Sequence, residues 1–189
     1  MTHEALPWLV FPPAVDLANT VIATPAGNRD LLGTEDDLDA WVAAERGRIL
    51  GVDAAAGRLA DVRQLRDIVR AVLHARARGK RPPEAARRRI NAMSSAAPIR
   101  ITLTAGGQAK QEPEARDAYS LFEASIARSA IELAGEGGDR LLVCGAPSCG
   151  MLFLREHPRQ VWCSKACGNR ARVARHEARR RSQRRTYAA

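Results

Sequence analysis

No stretch of the 189-residue chain approaches the roughly 20 apolar residues that a membrane-crossing helix requires. The opening Met1-Thr2-His3-Glu4 has neither the positive region nor the apolar stretch of a secretory leader, so a cytoplasmic location is expected. Catalytic signatures are missing too: there is no Gly-rich phosphate loop and no nucleophile elbow. His3, His74, His157 and His176 have no evident carboxylate or nucleophile partner in the sequence. A non-enzymatic role is expected, with His74 packing or capping near the end of its helix. Aromatic residues make up 4% of the chain, and the last quarter has only Phe153, Trp162 and Tyr187. That is a poor supply of platforms for stacking single-stranded bases. Internal repeats are absent, and the only biased segment is an Arg-rich end.

What the chain does have is charge in one place. Its net charge is +9, and residues 163–189 carry +8 of it. That segment holds Lys165, Arg170, Arg172, Arg175, Arg179, Arg180, Arg181, Arg184 and Arg185 against Glu177 alone. A nearly neutral body with a basic end points to a polyanionic partner. Hydrophobic residues at 46% and charged residues at 27% are enough for one sizeable core with a small appended module.

Hydrophobic periodicity makes the body mostly helical. Val15–Val21 is apolar enough for a short strand or a short helix, and periodicity does not separate the two. Thr34-Glu35-Asp36-Asp37 is a helix start, with a hydroxyl cap and acids against the helix dipole. Leu38, Trp41 and Val42 supply its apolar face as far as Gly47. A longer helix is predicted from about Ala54 to Arg78, with Leu59, Val62, Leu65, Ile68, Val69, Val72 and Leu73 at spacings of three and four. Another is expected from Pro82-Pro83-Glu84 to about Met93. Ile99, Ile101 and Leu103 then alternate with polar residues, predicting a half-buried strand, with a weak return strand near 108–111. A last body helix is predicted over 113–134, until Gly135, Gly137 and Gly138 end it.

All four cysteines fall in one window, Cys144-x4-Cys149-x13-Cys163-x3-Cys167. Two close pairs separated by a hairpin-length spacer suit tetrahedral zinc, which needs thiolates converging at about 2.3 Å. Two disulfides, disfavoured in a reducing compartment, and four free thiols are the alternatives. Residues 151–154 and 160–162 are expected to pair as a hairpin turning near His157-Pro158-Arg159. Ser164 should cap a helix that carries Cys167 in its first turns. Four sulfurs leave no open position, so one structural zinc ion is expected, with His157 at the hairpin tip and not a ligand.

From Ser164 to about Arg184 no proline interrupts a high helix propensity. Ala171, Ala174 and Ala178 form a narrow apolar strip beside Val173, and Arg172, Arg175 and Arg179 share an adjacent face. Asn169 and Arg170, nearest the last ligand, are candidates for reading base edges. Arg172, Arg175, Arg179 and Arg180 are candidates for phosphate contacts. A solvated, fraying tail is the plainer alternative, and Asn169 can instead brace the ligand loop.

The run Cys144-Gly-Ala-Pro-Ser-Cys149-Gly-Met-Leu-Phe-Leu, with Trp162-Cys163-Ser164 and Cys167-Gly168-Asn169-Arg170, resembles the CGNR zinc fingers, named for residues 167–170. Asp16-Leu17-Ala18-Asn19-Thr20 is similar to the Asp-x-x-Asn-Thr stretch of the ABATE domain that commonly precedes such fingers. The resemblance implies a bacterial, stress-related transcription regulator that binds zinc and duplex DNA. Members commonly have four residues between the last two cysteines, where Ser164, Lys165 and Ala166 make three here. The expected fold is α+β and mostly helical. An N-terminal helical domain with a small antiparallel sheet (1–138) precedes a treble-clef-like zinc finger with its basic helix (139–189). Asp16, Asn19 and Thr20 are candidates for a ligand pocket, with hydrogen bonding inside a turn as the structural alternative. A small-molecule effector and a second copy of the chain are further candidate partners. An RNA-binding protein and a zinc-stabilised protein-interaction module are the other functions compatible with these residues.

Overall fold

The computed structural model describes residues 11–24 and 27–187, and the side chains of all of these except 136–137 and 184–187. His3 and the side chains of Arg184, Arg185 and Tyr187, singled out in the sequence, lie outside the described residues. No helix is long and apolar enough to cross a membrane, among the described residues.

The ambiguous apolar stretch splits in two. Pro13–Ala18 is a short helix, α1, and Val21–Thr24 is a strand, β1, paired antiparallel with β2, Gly27–Asp30. Helix α2, Glu35–Glu45, begins as its sequence requires. Thr34 accepts from the Asp37 N–H, and the Asp37 carboxylate accepts from the Thr34 N–H. The long helix expected from Ala54 starts later. Val52–Ala55 is a single 3-10 turn, Gly57 takes a left-handed φ of 70°, and α3 runs Leu59–Ala77. A glycine at positive φ cannot continue a right-handed helix, which separates the two segments.

Helix α4 spans Glu84–Ala96, and the strands β3, Ile99–Leu103, and β4, Ala109–Pro113, pair in full antiparallel register. The expectation of a half-buried strand fails here: Ile101 is 67% and Leu103 77% exposed. A two-stranded ribbon has two faces, and among the described residues no second layer covers the one carrying Ile101 and Leu103. Pro113 ends β4, so helix α5 begins only at Ala118, capped by Asp117, and runs to Ala134.

Helices α1, α3, α4 and α5 pack around one core that includes Leu17, Leu38, Trp41, Leu65, Leu73, Ile90, Phe122 and Ile126, all at most 2% exposed. After a 3-10 turn, Glu136–Arg140, the strands β5, Leu141–Val143, and β6, Leu152–Leu154, form a hairpin. Its alternating faces serve two cores. Leu141, Val143, Leu152 and Leu154 point into the helical core, whereas Leu142 and Phe153 join the cysteines, Ala146 and Ala171 in a second, smaller one. Phe11 packs against both. The fold is mostly helical α+β with, among the described residues, three separate two-stranded antiparallel sheets and a treble-clef-like finger, closed by the 23-residue helix α6, Lys165–Tyr187.

Candidate metal centre and basic helix

The cysteine loop is built on a tight turn between β5 and β6. Cys144 N–H donates to the Met151 carbonyl at 2.8 Å, and Gly150 N–H donates back to the Cys144 carbonyl at 3.3 Å. Ser148 and Gly150 sit at φ 54° and 66°, reversing the chain so that Cys149 turns inward. The partner strand of 152–154 is therefore 141–143. Residues 160–162, expected to pair there, form no strand. The turn near His157–Pro158 does form, closed by Gln160 N–H on the His157 carbonyl at 2.9 Å. Ser164 Oγ accepts from the Cys167 N–H at 3.2 Å, capping α6 as expected.

Cys144, Cys149, Cys163 and Cys167 converge, with all four Sγ atoms within 4.8 Å of one another. Three of the Sγ–Sγ distances are 3.5, 3.6 and 3.7 Å. Four sulfurs 2.3 Å from one ion at tetrahedral corners stand about 3.8 Å apart, so the set fits a single zinc ion. With three residues between the last two cysteines, Cys163 sits just before the helix, and its sulfur still meets that of Cys167. The packed thiols hold their protons unevenly. Hydrogen bonding, first from Cys163, draws the Cys149 pKa down to about 5. The Cys163 thiol is pushed up, first by its contact with Cys149 and then by burial. His157 stands apart at the exposed turn and is not a ligand.

Residues 167–170 each have a separate physical task. Cys167 is a ligand. Gly168 lies under the Trp162 indole, where an added Cβ would come within 3.2 Å of Cδ1. Asn169 Oδ1 accepts from Arg172 Nη2, and Arg170 Nη2 donates to Cys167 Sγ at 3.1 Å. Arg170, a candidate for base edges, is thus turned at least partly back onto a ligand sulfur. A cationic donor there favours thiolate.

Beyond Ala171, which is buried, α6 leaves the body. Residues 175–183 are exposed, Arg179 and Arg180 among them. Ala178 of the expected apolar strip is exposed with them, and Arg175 Nε stays on the Ala171 carbonyl at 3.3 Å. Every ion pair among the described residues lies before residue 140. Arg140, Arg155, Arg159, Lys165 and the arginines of α6 through Arg181 have no carboxylate within 4.0 Å, among the described residues.

Asp16, Asn19 and Thr20 are all buried and engaged within the chain. Asp16 pairs with Arg48 at 2.9 Å and accepts from the Phe11 N–H. Thr20 Oγ1 donates to the Leu17 carbonyl at 2.8 Å and accepts from Arg66, which also grips Asp30. Asn19 holds the backbone of Leu152 with both ends of its amide. The sequence did not single out Glu45, which is fully buried and shares Arg48 with Asp16. An acid on the apolar side of α2 was the available signal. His74 packs as expected, with burial pulling its pKa down to about 4.

Comparison with curated proteins finds no significant match. Residues 140–180 match the CGNR zinc finger family, and residues 12–137 match ABATE, described as "Putative stress-induced transcription regulator". The second match covers about two thirds of the sequence, and the chain belongs to the ABATE family, with a CGNR zinc finger at its C-terminal side.

Proposed function

We propose that the protein is a DNA-binding transcription regulator in which a structural zinc ion fixes the root of α6 and that helix contacts duplex DNA. The N-terminal helical domain would sense a ligand or mediate assembly. The observation that carries the DNA reading is the division of charge. Ten of the eighteen cations before residue 139 stand within 4.0 Å of a carboxylate, whereas those of α6 through Arg181 are exposed and none has an acidic partner among the described residues. Like charges three and four apart destabilise a lone helix, and a polyphosphate relieves that repulsion. At 1.5 Å per residue α6 is about 34 Å long, enough to reach deep into a major groove beyond its anchored first turns. Asn169 and Arg170 stand nearest the root of α6 and are the candidates for base edges, while Arg172 suits a phosphate. Arg175, Arg179 and Arg180 suit phosphates. The closed four-thiolate centre offers no place for a substrate, which favours a binding role over catalysis.

The test is binding of the zinc-loaded full chain to a mixed-sequence duplex across a salt series. Affinity should fall steeply with salt, and Arg172→Glu/Arg175→Glu should reduce it at least tenfold with zinc retained. Salt-independent affinity, or wild-type binding by that variant, would overturn the reading.

A further inference from the structure

A groove of about 880 Å³ opens where the helical domain, the finger turn and the first turns of α6 meet. Its floor and walls are apolar, from Phe11, Leu154 and Trp162. Four basic side chains, Arg140, Arg159, Lys165 and Arg172, border it together with His157, against the single acid Glu156. None of those four has a carboxylate within 4.0 Å among the described residues. Arg140 is also held in place, its Nε donating to the Arg155 carbonyl at 3.2 Å.

We infer that this groove seats the phosphates of one DNA strand, so that the contact surface extends from α6 onto the junction with the helical domain. The inference rests on the DNA reading above and adds a partner surface to it. Three observations support it. The first is charge complementarity: cations on a low-dielectric wall concentrate a field that favours a polyanion. The second is continuity. Lys165, Asn169 and Arg172 line the groove at positions i, i+4 and i+7 of α6, and Arg172 also borders the next recess along the helix, with Arg175, His176 and Arg179. A strand in the groove therefore runs on, without a break in charge, along the face that carries the remaining arginines. The third concerns the aromatic wall. Trp162 is packed over Gly168 and Gly145, which makes it a wall and a poor platform for an unstacked base. Duplex backbone fits this setting better than a splayed single strand. Phe11 and Pro12 precede α1, so DNA seated here touches the helical domain as well as the finger.

The test compares two charge-matched variants of the zinc-loaded full chain by fluorescence anisotropy on a mixed-sequence duplex. All four substituted residues are exposed. Arg140→Gln/Arg159→Gln should bind roughly tenfold more weakly near 0.1 M salt. The slope of log affinity against log salt should become shallower by about 1.8, at about 0.9 for each phosphate no longer neutralised. Arg81→Gln/Arg88→Gln, which removes the same charge just before and within α4 at residues that do not line the groove, should keep the wild-type slope. An equal loss in both variants reduces the effect to net charge and overturns the inference. So does a wild-type slope in Arg140→Gln/Arg159→Gln while Arg172→Glu/Arg175→Glu loses binding, and in that case the DNA reading stands. If neither the groove nor the helix variant changes binding, both fall.

Discussion

The carboxamide of Asn19 takes the place of a neighbouring strand for Leu152. Its Nδ2 donates to the Leu152 carbonyl at 2.9 Å, and its Oδ1 accepts from the Leu152 N–H at 3.0 Å. Both residues are at most 1% exposed. A residue of the helical domain thereby completes the edge of β6, the strand that follows the first cysteine pair. Asn19→Ala should leave two buried backbone groups unpaired and cost about 2–3 kcal/mol. Asn19→Asp should be worse at neutral pH, because a carboxylate would face a carbonyl, and should recover on acidification. Urea unfolding of the three proteins followed by circular dichroism measures this. A wild-type midpoint in Asn19→Ala would show that the pairing is incidental.

Arg170 is expected to matter for metal retention independently of DNA. Its guanidinium donates to the sulfur of Cys167, an outer partner of a ligand. Removal of such partners typically lowers metal affinity by about 10–100-fold. Arg170→Ala should therefore lose zinc to a competing chelator at lower chelator concentration than wild type, in DNA-free protein. Arg175→Ala, five residues further along α6, should not. Identical chelator curves for Arg170→Ala and wild type would reduce Arg170 to a surface cation.

Much of this was legible in the residues. Two cysteine pairs at metal-ligand spacing, the Thr34–Asp37 capping box and the Ser164 cap are local, and local chemistry survives folding. What failed depended on distant partners. Leu141–Val143 is only three residues long and reads as a strand only once Leu152–Leu154 lies beside it. Val161 and Trp162 look like strand residues, yet Val161 is 52% exposed and Trp162 lies on Gly168. Alternation at Ile99, Ile101 and Leu103 correctly marks a strand but does not reveal whether a layer covers it. Asp16, Asn19 and Thr20 stood out as polar residues in an apolar stretch, which suits a ligand pocket and internal bracing equally. Only the burial and partners of the folded chain separate them, and all three are internally bonded. The groove beside α6 gathers residues from positions 11 to 172, so no sequence window contains it.

Two buried carboxylates competing for Arg48 should make stability depend on pH. Burial pushes the pKa of Asp16 up to about 6 and that of Glu45 up to about 7, with Arg48 opposing the rise in each. Both values exceed those of the unfolded chain, so the folded state holds more protons between about pH 4 and 7. Stability from this pair is fully present below the unfolded values and is lost as pH rises through the folded ones. The lowered pKa of His74 has the opposite effect: its contribution is present above about 6.5 and is lost as pH falls towards 4. Comparing Glu45→Gln with wild type cancels the histidine. The variant should gain stability relative to wild type from pH 5 to 8, reaching about 1–3 kcal/mol, at about 1.4 kcal/mol per pKa unit. A difference that stays flat across that range would rule out the burial account.

Zinc removal should weaken the helical domain as well as the finger. Structural zinc contributes on the order of 10 kcal/mol to small modules of this kind, and the second core here consists largely of its own ligands, Ala146, Phe153 and Ala171. Without metal that core has little to hold it. The β5–β6 hairpin then loses one of its faces, while its other face supplies Leu141 and Leu152 to the helical core. Asn19 loses a fixed partner at the same time. Chelation should therefore shift the unfolding of α1–α5 to lower urea, beyond the loss of helical signal from α6 alone. A Cys149→Ser/Cys163→Ser variant should reproduce the shift without chelator. If the helical-domain transition keeps its midpoint when the metal is stripped, the hairpin does not couple the two cores.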